Sequence, residues 1–196
     1  MDETFAEENP GHVPLTLASR QRLAKDLQLG EPATAILVKN PHLEGSFAEL
    51  LDTGEVETAF RLIARMLKPA KAMLWLVLSH RFTNASQDRQ VADEGIAEVA
   101  LIEYARNASP DRAAAAESAC RLLGGTHPLG LAGSSLSTLQ SMPEGYNPFS
   151  SSLFPDLVAR AVWLISLSES RDRERLVLSK ELASRGVALA LSGQAD

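Results

Sequence analysis

The 196-residue sequence has one cysteine and no long hydrophobic run, and each scarcity excludes a class of protein. The single thiol of Cys120 cannot form an internal disulfide, which fits a reducing cytoplasm. The longest apolar run, residues 72–78, is far shorter than the roughly 20 residues of a membrane-spanning helix. Residues 1–13 carry four acidic and no basic side chains, unlike a signal or transit peptide. We therefore expect a cytoplasmic protein without membrane insertion.

Residues that favour β-strands are also scarce. The chain has 5 Ile and 10 Val against 30 Leu and 28 Ala, and only 10 aromatic residues. Leu and Ala are strong helix formers, whereas β-branched and aromatic side chains favour strands. The composition predicts an all-α fold of about nine or ten helices packed as antiparallel pairs. A solenoid-like stack of helix pairs is the alternative arrangement.

Helix start and stop residues divide the chain. Residues 1–13 are predicted to form a disordered acidic tail, and residues 14–196 a single helical domain. Ser46 followed by Glu49 is typical of a capping box, so a helix is expected to begin there. Ser109 before Pro110 is a second start signal. Further helical segments are expected near residues 17–29, 33–39, 55–67, 70–82, 87–106, 126–139 and 172–191, and from about residue 155.

The four histidines, His12, His42, His80 and His127, are far apart and show no pairing at helical i, i+3 or i+4 spacing. Metal ligands on one helix need such spacing, so we expect no metal site. His127, beside Pro128, is expected to cap a helix start. His80 is expected to complement the dipole at a helix end.

The candidate catalytic groups have ordinary structural interpretations. Cys120 lies on an Ala-rich face and is expected to be buried and unreactive. The serine runs contain no Gly-x-Ser-x-Gly elbow, and the glycines form no phosphate-binding loop. Glu94, Glu98 and Glu103 are expected on a solvated helix face. We therefore expect no catalytic residue, no cofactor and no enzymatic activity.

A cluster of basic residues, Arg61, Arg65, Lys68 and Lys71, is local within an acidic chain of net charge −6. Nucleic-acid binding usually needs a basic surface with interleaved aromatic side chains. The cluster is instead expected to be a solvated helix end, where cations complement the helix dipole. Nucleic acid is not an expected partner.

Residues 141–155 are rich in serine and proline and also contain aromatic side chains. A loop of this length is commonly functional. Tyr146, Phe149 and Phe154 are the predicted partner-binding residues. The alternative is that these rings fold back on the helical core as a lid.

Four segments resemble a bacterial all-helical family, the domain of unknown function numbered sixty-nine thirty-one. Residues 47–55 read Phe-Ala-Glu-Leu-Leu-Asp-Thr-Gly-Glu, and residues 67–78 read Leu-Lys-Pro-Ala-Lys-Ala-Met-Leu-Trp-Leu-Val-Leu. Residues 104–116, Tyr-Ala-Arg-Asn-Ala-Ser-Pro-Asp-Arg-Ala-Ala-Ala-Ala, and 157–163, Leu-Val-Ala-Arg-Ala-Val-Trp, resemble later segments of that family. The sequence departs from the family at Leu76, where the family has a second tryptophan, and at residues 127–133, which contain no tryptophan.

The resemblance implies a non-enzymatic helical accessory protein, and it associates the chain with type VI secretion gene clusters. The expected function is a protein-binding module, acting as an adaptor, chaperone or accessory factor of a bacterial type VI secretion system. One alternative is an immunity-type protein, whose acidic charge would suit a basic toxin. The other is an enzyme with an unrecognised site, which would require a pocket lined by perturbed carboxylates.

Overall fold

The computed structural model describes residues 15–84, 92–141, 153–168 and 171–192. These residues contain ten α-helices and no strand, which confirms the all-α class. The helices are α1 (Leu17–Asp26), α2 (Glu31–Lys39), α3 (Leu43–Asp52), α4 (Val56–Met66), α5 (Pro69–Asn84), α6 (Ala92–Arg106), α7 (Pro110–Arg121), α8 (Pro128–Gln140), α9 (Leu153–Ser166) and α10 (Asp172–Leu191). The predicted tail, residues 1–13, lies outside the described residues.

Helices α2, α3 and α9 begin two or three residues earlier than the sequence predicts. Helix α3 begins at Leu43, whose buried side chain joins the core, so the capping box expected at Ser46 is wrong. Ser46 lies buried inside the helix, where its hydroxyl donates to the His42 carbonyl at 3.5 Å. Helix α9 begins at Leu153. Pro155 is tolerated in its first turn because the N–H groups of that turn have no intrahelical partner.

Other predicted caps are confirmed. The Ser109 hydroxyl accepts a hydrogen bond from the Arg112 backbone N–H at 3.3 Å, directly before α7. His127 caps α8 with its ring, which accepts from the Leu129 backbone N–H at 3.2 Å. Gly54 follows α3 with a φ of +86°, a conformation that favours glycine over other residues.

Helix α9 connects the two halves of the described fold. Helices next to each other in the chain pack together from α1 to α4 and again from α5 to α8, and α9 packs against α4, α5 and α8. Helix α10 packs across α3, α4, α5 and α9. In a solenoid each repeat contacts only its neighbours. These long-range contacts therefore describe a closed helical assembly rather than a solenoid-like stack.

The buried side chains form one hydrophobic cluster, with Trp75 of α5 near its centre. The Trp75 ring packs edge-on against Phe60 at 5.8 Å between centroids, and its Nε1–H donates to the Leu182 carbonyl of α10 at 2.7 Å. Gly186 makes this approach possible, because a Cβ there would lie 2.7 Å from Ile63 and 2.8 Å from Trp75. Trp75 is fully buried, whereas the other tryptophan, Trp163, is only half-buried.

Among the described residues, no helix combines the length and apolar character needed to cross a membrane.

Candidate functional site

Four ionisable side chains from three helices meet on one side of the fold. His80 lies near the end of α5, Glu94 and Glu98 lie one turn apart on α6, and His127 is the residue before α8. We call these four residues the two-histidine cluster. The packing of α6 against α5 and α8 brings them together, so their spacing in the sequence does not reveal it.

His80 is held by the carboxylate of Glu98. The two side chains are buried, and His80 Nδ1 lies 2.8 Å from Glu98 Oε1. Because a carboxylate only accepts hydrogen bonds, Nδ1 carries the proton and Nε2 presents its lone pair in the neutral ring. Nε2 accepts from the Asn84 amide at 3.0 Å. The second oxygen of Glu98 accepts from Arg81 Nε at 2.7 Å, so the carboxylate is fixed at both oxygens.

His127 uses both ring nitrogens. Its Nδ1 accepts from the Leu129 backbone N–H, so the neutral ring carries its proton on Nε2. Nε2 lies 3.3 Å from Glu94 Oε1, to which it donates. Burial lowers the pKa of His127, the Glu94 carboxylate opposes that shift, and His80 adds to it. The ring is therefore neutral at neutral pH.

The imidazole rings of His80 and His127 pack edge to face. Their centroids are 5.7 Å apart with an angle of 63° between the planes. One ligand atom each from His80, Glu94 and His127 lies within 4.8 Å of the others. His80 is buried, whereas Glu94 and His127 are half-buried, so the cluster reaches the surface on their side. Two imidazoles and a carboxylate are a donor set that transition-metal ions prefer.

The structure corrects the expected exposure of two of these residues. Glu98, expected on a solvated face, is 2% exposed, and Glu94 is 17% exposed at its side chain. His80 lies near the end of α5, as expected, but it is buried and its ring pairs with Glu98. The signal that could have revealed this was the register of α6, because Glu94, Glu98 and the buried Leu101 share one side of the helix.

Two residues of the predicted basic cluster, Arg61 and Arg65 of α4, are not at a solvated helix end, whereas Lys68 is exposed as expected. Arg65 is 3% exposed and donates to Asp156 of α9 at 2.8 Å, and Arg61 donates to the same oxygen at 3.0 Å. Arg61 also donates to the Leu27 carbonyl at 2.8 Å, just after α1. Burial alone would raise the pKa of Asp156, but the hydrogen bonds from the two guanidinium groups outweigh it and hold that pKa below the usual range. These pairs join α1, α4 and α9 and have a structural role.

Of the three predicted partner-binding residues, the structure describes only Phe154. Tyr146 and Phe149 lie outside the described residues. Phe154 lies in the first turn of α9 with no exposed surface, and it is among the largest fully buried side chains of the core. The partner-contact role predicted for Phe154 is therefore corrected, because a side chain inside the core presents no surface to another molecule.

Exposed apolar side chains occur together on α6. Ile96 and Val99 lie one turn apart and are 56% and 58% exposed. They point away from the two-histidine cluster, because residues three apart share one side of a helix while Glu94 and Glu98 occupy the buried side. We call Ile96 and Val99 the α6 outer face.

Two surface clefts of the described residues lie elsewhere. One, of about 310 Å³, lies between the start of α4, the end of α9 and the first turns of α10, beside Trp163 and the buried Ser179. The other, of about 360 Å³, follows the contact of α7 with α8. Neither is lined by a residue of the two-histidine cluster.

Comparison with protein-family models, with curated proteins and with solved structures found no match to this chain. The family resemblance and the link to type VI secretion stay predictions.

Proposed function

We propose that this chain is a non-enzymatic helical module of the bacterial cytoplasm that binds another protein through the α6 outer face. The observation that carries the proposal is the pair of neighbouring, more than half-exposed side chains Ile96 and Val99. Single exposed apolar residues are normal on a soluble protein. Adjacent ones on a single helix face are typical of the anchors by which one protein packs on another.

The α6 outer face is presented on a firmly held helix. On its opposite side α6 packs against α5 and α7, and Glu98 ties it to α5 through His80 and Arg81. A rigid helix loses little conformational entropy when a partner docks, which favours binding. This packing supports α6 as a preformed contact surface.

The charge of the chain indicates the chemistry of the partner. The net charge is −6, and the exposed Asp93 lies one turn before Ile96. A partner with an apolar centre and basic residues around it would complement this surface, because opposite charges speed association and exclude wrong partners. The family resemblance suggests that the partner is a component of a type VI secretion system. An acidic chain of this kind is a poor match for nucleic acid.

The test combines capture with a matched pair of surface variants. The full chain carries a photo-crosslinking residue at Glu103, one turn beyond Val99, and is expressed in its native cell, where cross-linked proteins are identified by mass spectrometry. Each candidate is then purified, and its affinity is measured by calorimetry for the wild type and for the double variant Ile96→Ser, Val99→Ser. Val177→Ser is the control, because Val177 is 64% exposed on a different helix, α10.

We expect the double variant to weaken binding at least about tenfold, because burying an Ile or Val side chain contributes about 1.5–3 kcal/mol. The Val177 variant should bind like the wild type. A type VI secretion component with this dependence supports the proposal. If the partner is a toxin whose binding the double variant weakens in the same way, the immunity role is supported in place of the accessory role. A partner whose affinity is unchanged by the double variant, or the absence of any cross-linked partner, overturns the proposed binding face.

A further inference from the structure

We propose that His80, Glu94 and His127 bind one Zn²⁺ ion, with water completing a four-coordinate site. This proposal is independent of the protein-binding function, because the α6 outer face lies on the other side of the helix from these residues. It assigns a role to three side chains that sequence spacing does not connect.

The distances already approach those of a tetrahedral site. Zn–N and Zn–O bonds of about 2.0–2.1 Å at tetrahedral angles place neighbouring ligand atoms about 3.3 Å apart. Nε2 of His127 and Oε1 of Glu94 are 3.3 Å apart. The ligand atoms of all three residues lie within 4.8 Å of one another, so small rotations of the side chains complete the set.

His80 has the hydrogen-bonding pattern of a metal-ligating histidine. Such a histidine typically donates its other ring N–H to a carboxylate, which fixes the tautomer and makes the ring a better ligand. Here Nδ1–H donates to Glu98, and the lone pair of Nε2 is occupied only by the Asn84 amide. Asn84 is the last residue of α5, and its amide has to leave Nε2 when an ion binds there.

Charge also favours a cation at this position. Glu94 and Glu98 place two carboxylates in the cluster, and Arg81 pairs with the far oxygen of Glu98. The carboxylate of Glu94 faces the imidazole of His127 and offers a negatively charged ligand to the proposed ion. Two nitrogens and one carboxylate oxygen suit Zn²⁺ better than Ca²⁺ or Mg²⁺, which prefer oxygen ligands throughout.

Ligation by His127 has a structural consequence. In the ion-free ring the proton is on Nε2 and Nδ1 caps α8 through the Leu129 N–H. When Nε2 binds the ion, the proton moves to Nδ1, since otherwise the ring would have to be an anion. The Leu129 N–H then loses its acceptor. Zinc binding is therefore coupled to loss of the cap at the start of α8.

The experiment uses the full-length purified chain. Its metal content is measured as isolated, and after chelator treatment it is titrated with ZnSO₄ by isothermal calorimetry. The test variants are Glu94→Gln, which keeps the size of the side chain, and His127→Asn, which removes the imidazole but keeps a strong N-cap residue. His42→Asn is the matched control, because His42 is also the N-cap of a helix but lies exposed, away from the cluster.

We expect one zinc per chain, with affinity at least about tenfold weaker in Glu94→Gln and His127→Asn and unchanged in His42→Asn. The wild-type Leu129 amide should shift in the nitrogen–proton NMR spectrum and exchange faster with solvent when zinc is added, as the cap is lost. The His127→Asn variant keeps a capping side chain at the start of α8, and circular dichroism checks that both test variants fold. Absence of zinc binding overturns the proposal. So does zinc binding that the test variants leave unchanged, which would be adventitious.

Discussion

Replacing Phe154 by Ala is the sharpest test of the core. The sequence alone leaves two roles open for this ring: it contacts a partner protein, or it folds back on the helical core as a lid. In the structure the ring has no exposed surface and lies where α9 meets the rest of the fold. Removing a fully buried Phe side chain costs about 3–5 kcal/mol, from lost burial and from the cavity left behind. We therefore expect Phe154→Ala to lower the free energy of unfolding by about that amount.

The measurement is urea unfolding followed by circular dichroism, with thermal melting alongside. A loss of this size corresponds to a fall in melting temperature of about 6–20 °C for a chain of this length. The control is Leu153→Ala, because the neighbouring Leu153 is 62% exposed and its truncation should change the free energy of unfolding by less than about 0.5 kcal/mol. Phe154→Leu should lie between the two. Equal stabilities of Phe154→Ala and Leu153→Ala would refute the placement of this ring in the core.

Three further predictions concern other parts of the fold. Gly130→Ala should lower the free energy of unfolding by at least about 1–3 kcal/mol, because the added Cβ would lie 1.8 Å from the Gly124 carbonyl oxygen. Gly125→Ala is the control, because its Cβ would meet nothing within 4 Å, and the same urea assay should show almost no change in its free energy of unfolding. The pKa of Asp156 is lowered from 3.8, so the stability that its ionised carboxylate contributes is present above that pH and is lost as the pH falls through the pKa of the folded state. Asp156→Asn should be less stable than the wild type at pH 7, and its stability should fall less steeply in acid. An acid unfolding profile equal to that of the wild type would contradict this. Burial raises the pKa of Cys120 to about 12, so iodoacetamide at pH 8 should label the thiol only after unfolding; rapid labelling of the folded chain would show that the thiol is accessible.

Helix content and most helix ends could be predicted from the sequence, because they depend on local interactions. The Ser109-Pro110 start, the cap by His127 and the long last helix are set by residues within a few positions of each other. The prediction failed at Ser46, where a local capping pattern is present but burial of Leu43 extends the helix past it. Tertiary packing overrides a cap that is worth about 1 kcal/mol.

The candidate site was beyond local reasoning. His80 and Glu94 belong to different helices, and His127 precedes a third, so no helical spacing links the three residues. The register of Glu94, Glu98 and Leu101 on α6 is visible in the sequence, but the histidines that the two carboxylates contact become evident only from the packing of α5 and α8 against α6. Similarly, the sequence around Arg65 indicates a solvated cation, and only the structure shows that Asp156 of α9 lies beside it.

The sequence by itself determined that this protein is helical, because the excess of Leu and Ala and the start and stop residues act through backbone preference within single helices. The tertiary structure decided which polar side chains are buried and what they contact. Burial of Glu98 with His80, and of Arg65 with Asp156, depends on the approach of helices that are distant in the chain. A charge is tolerated inside a protein only beside a partner, and that partner is supplied by the packing of helices rather than by the order of residues.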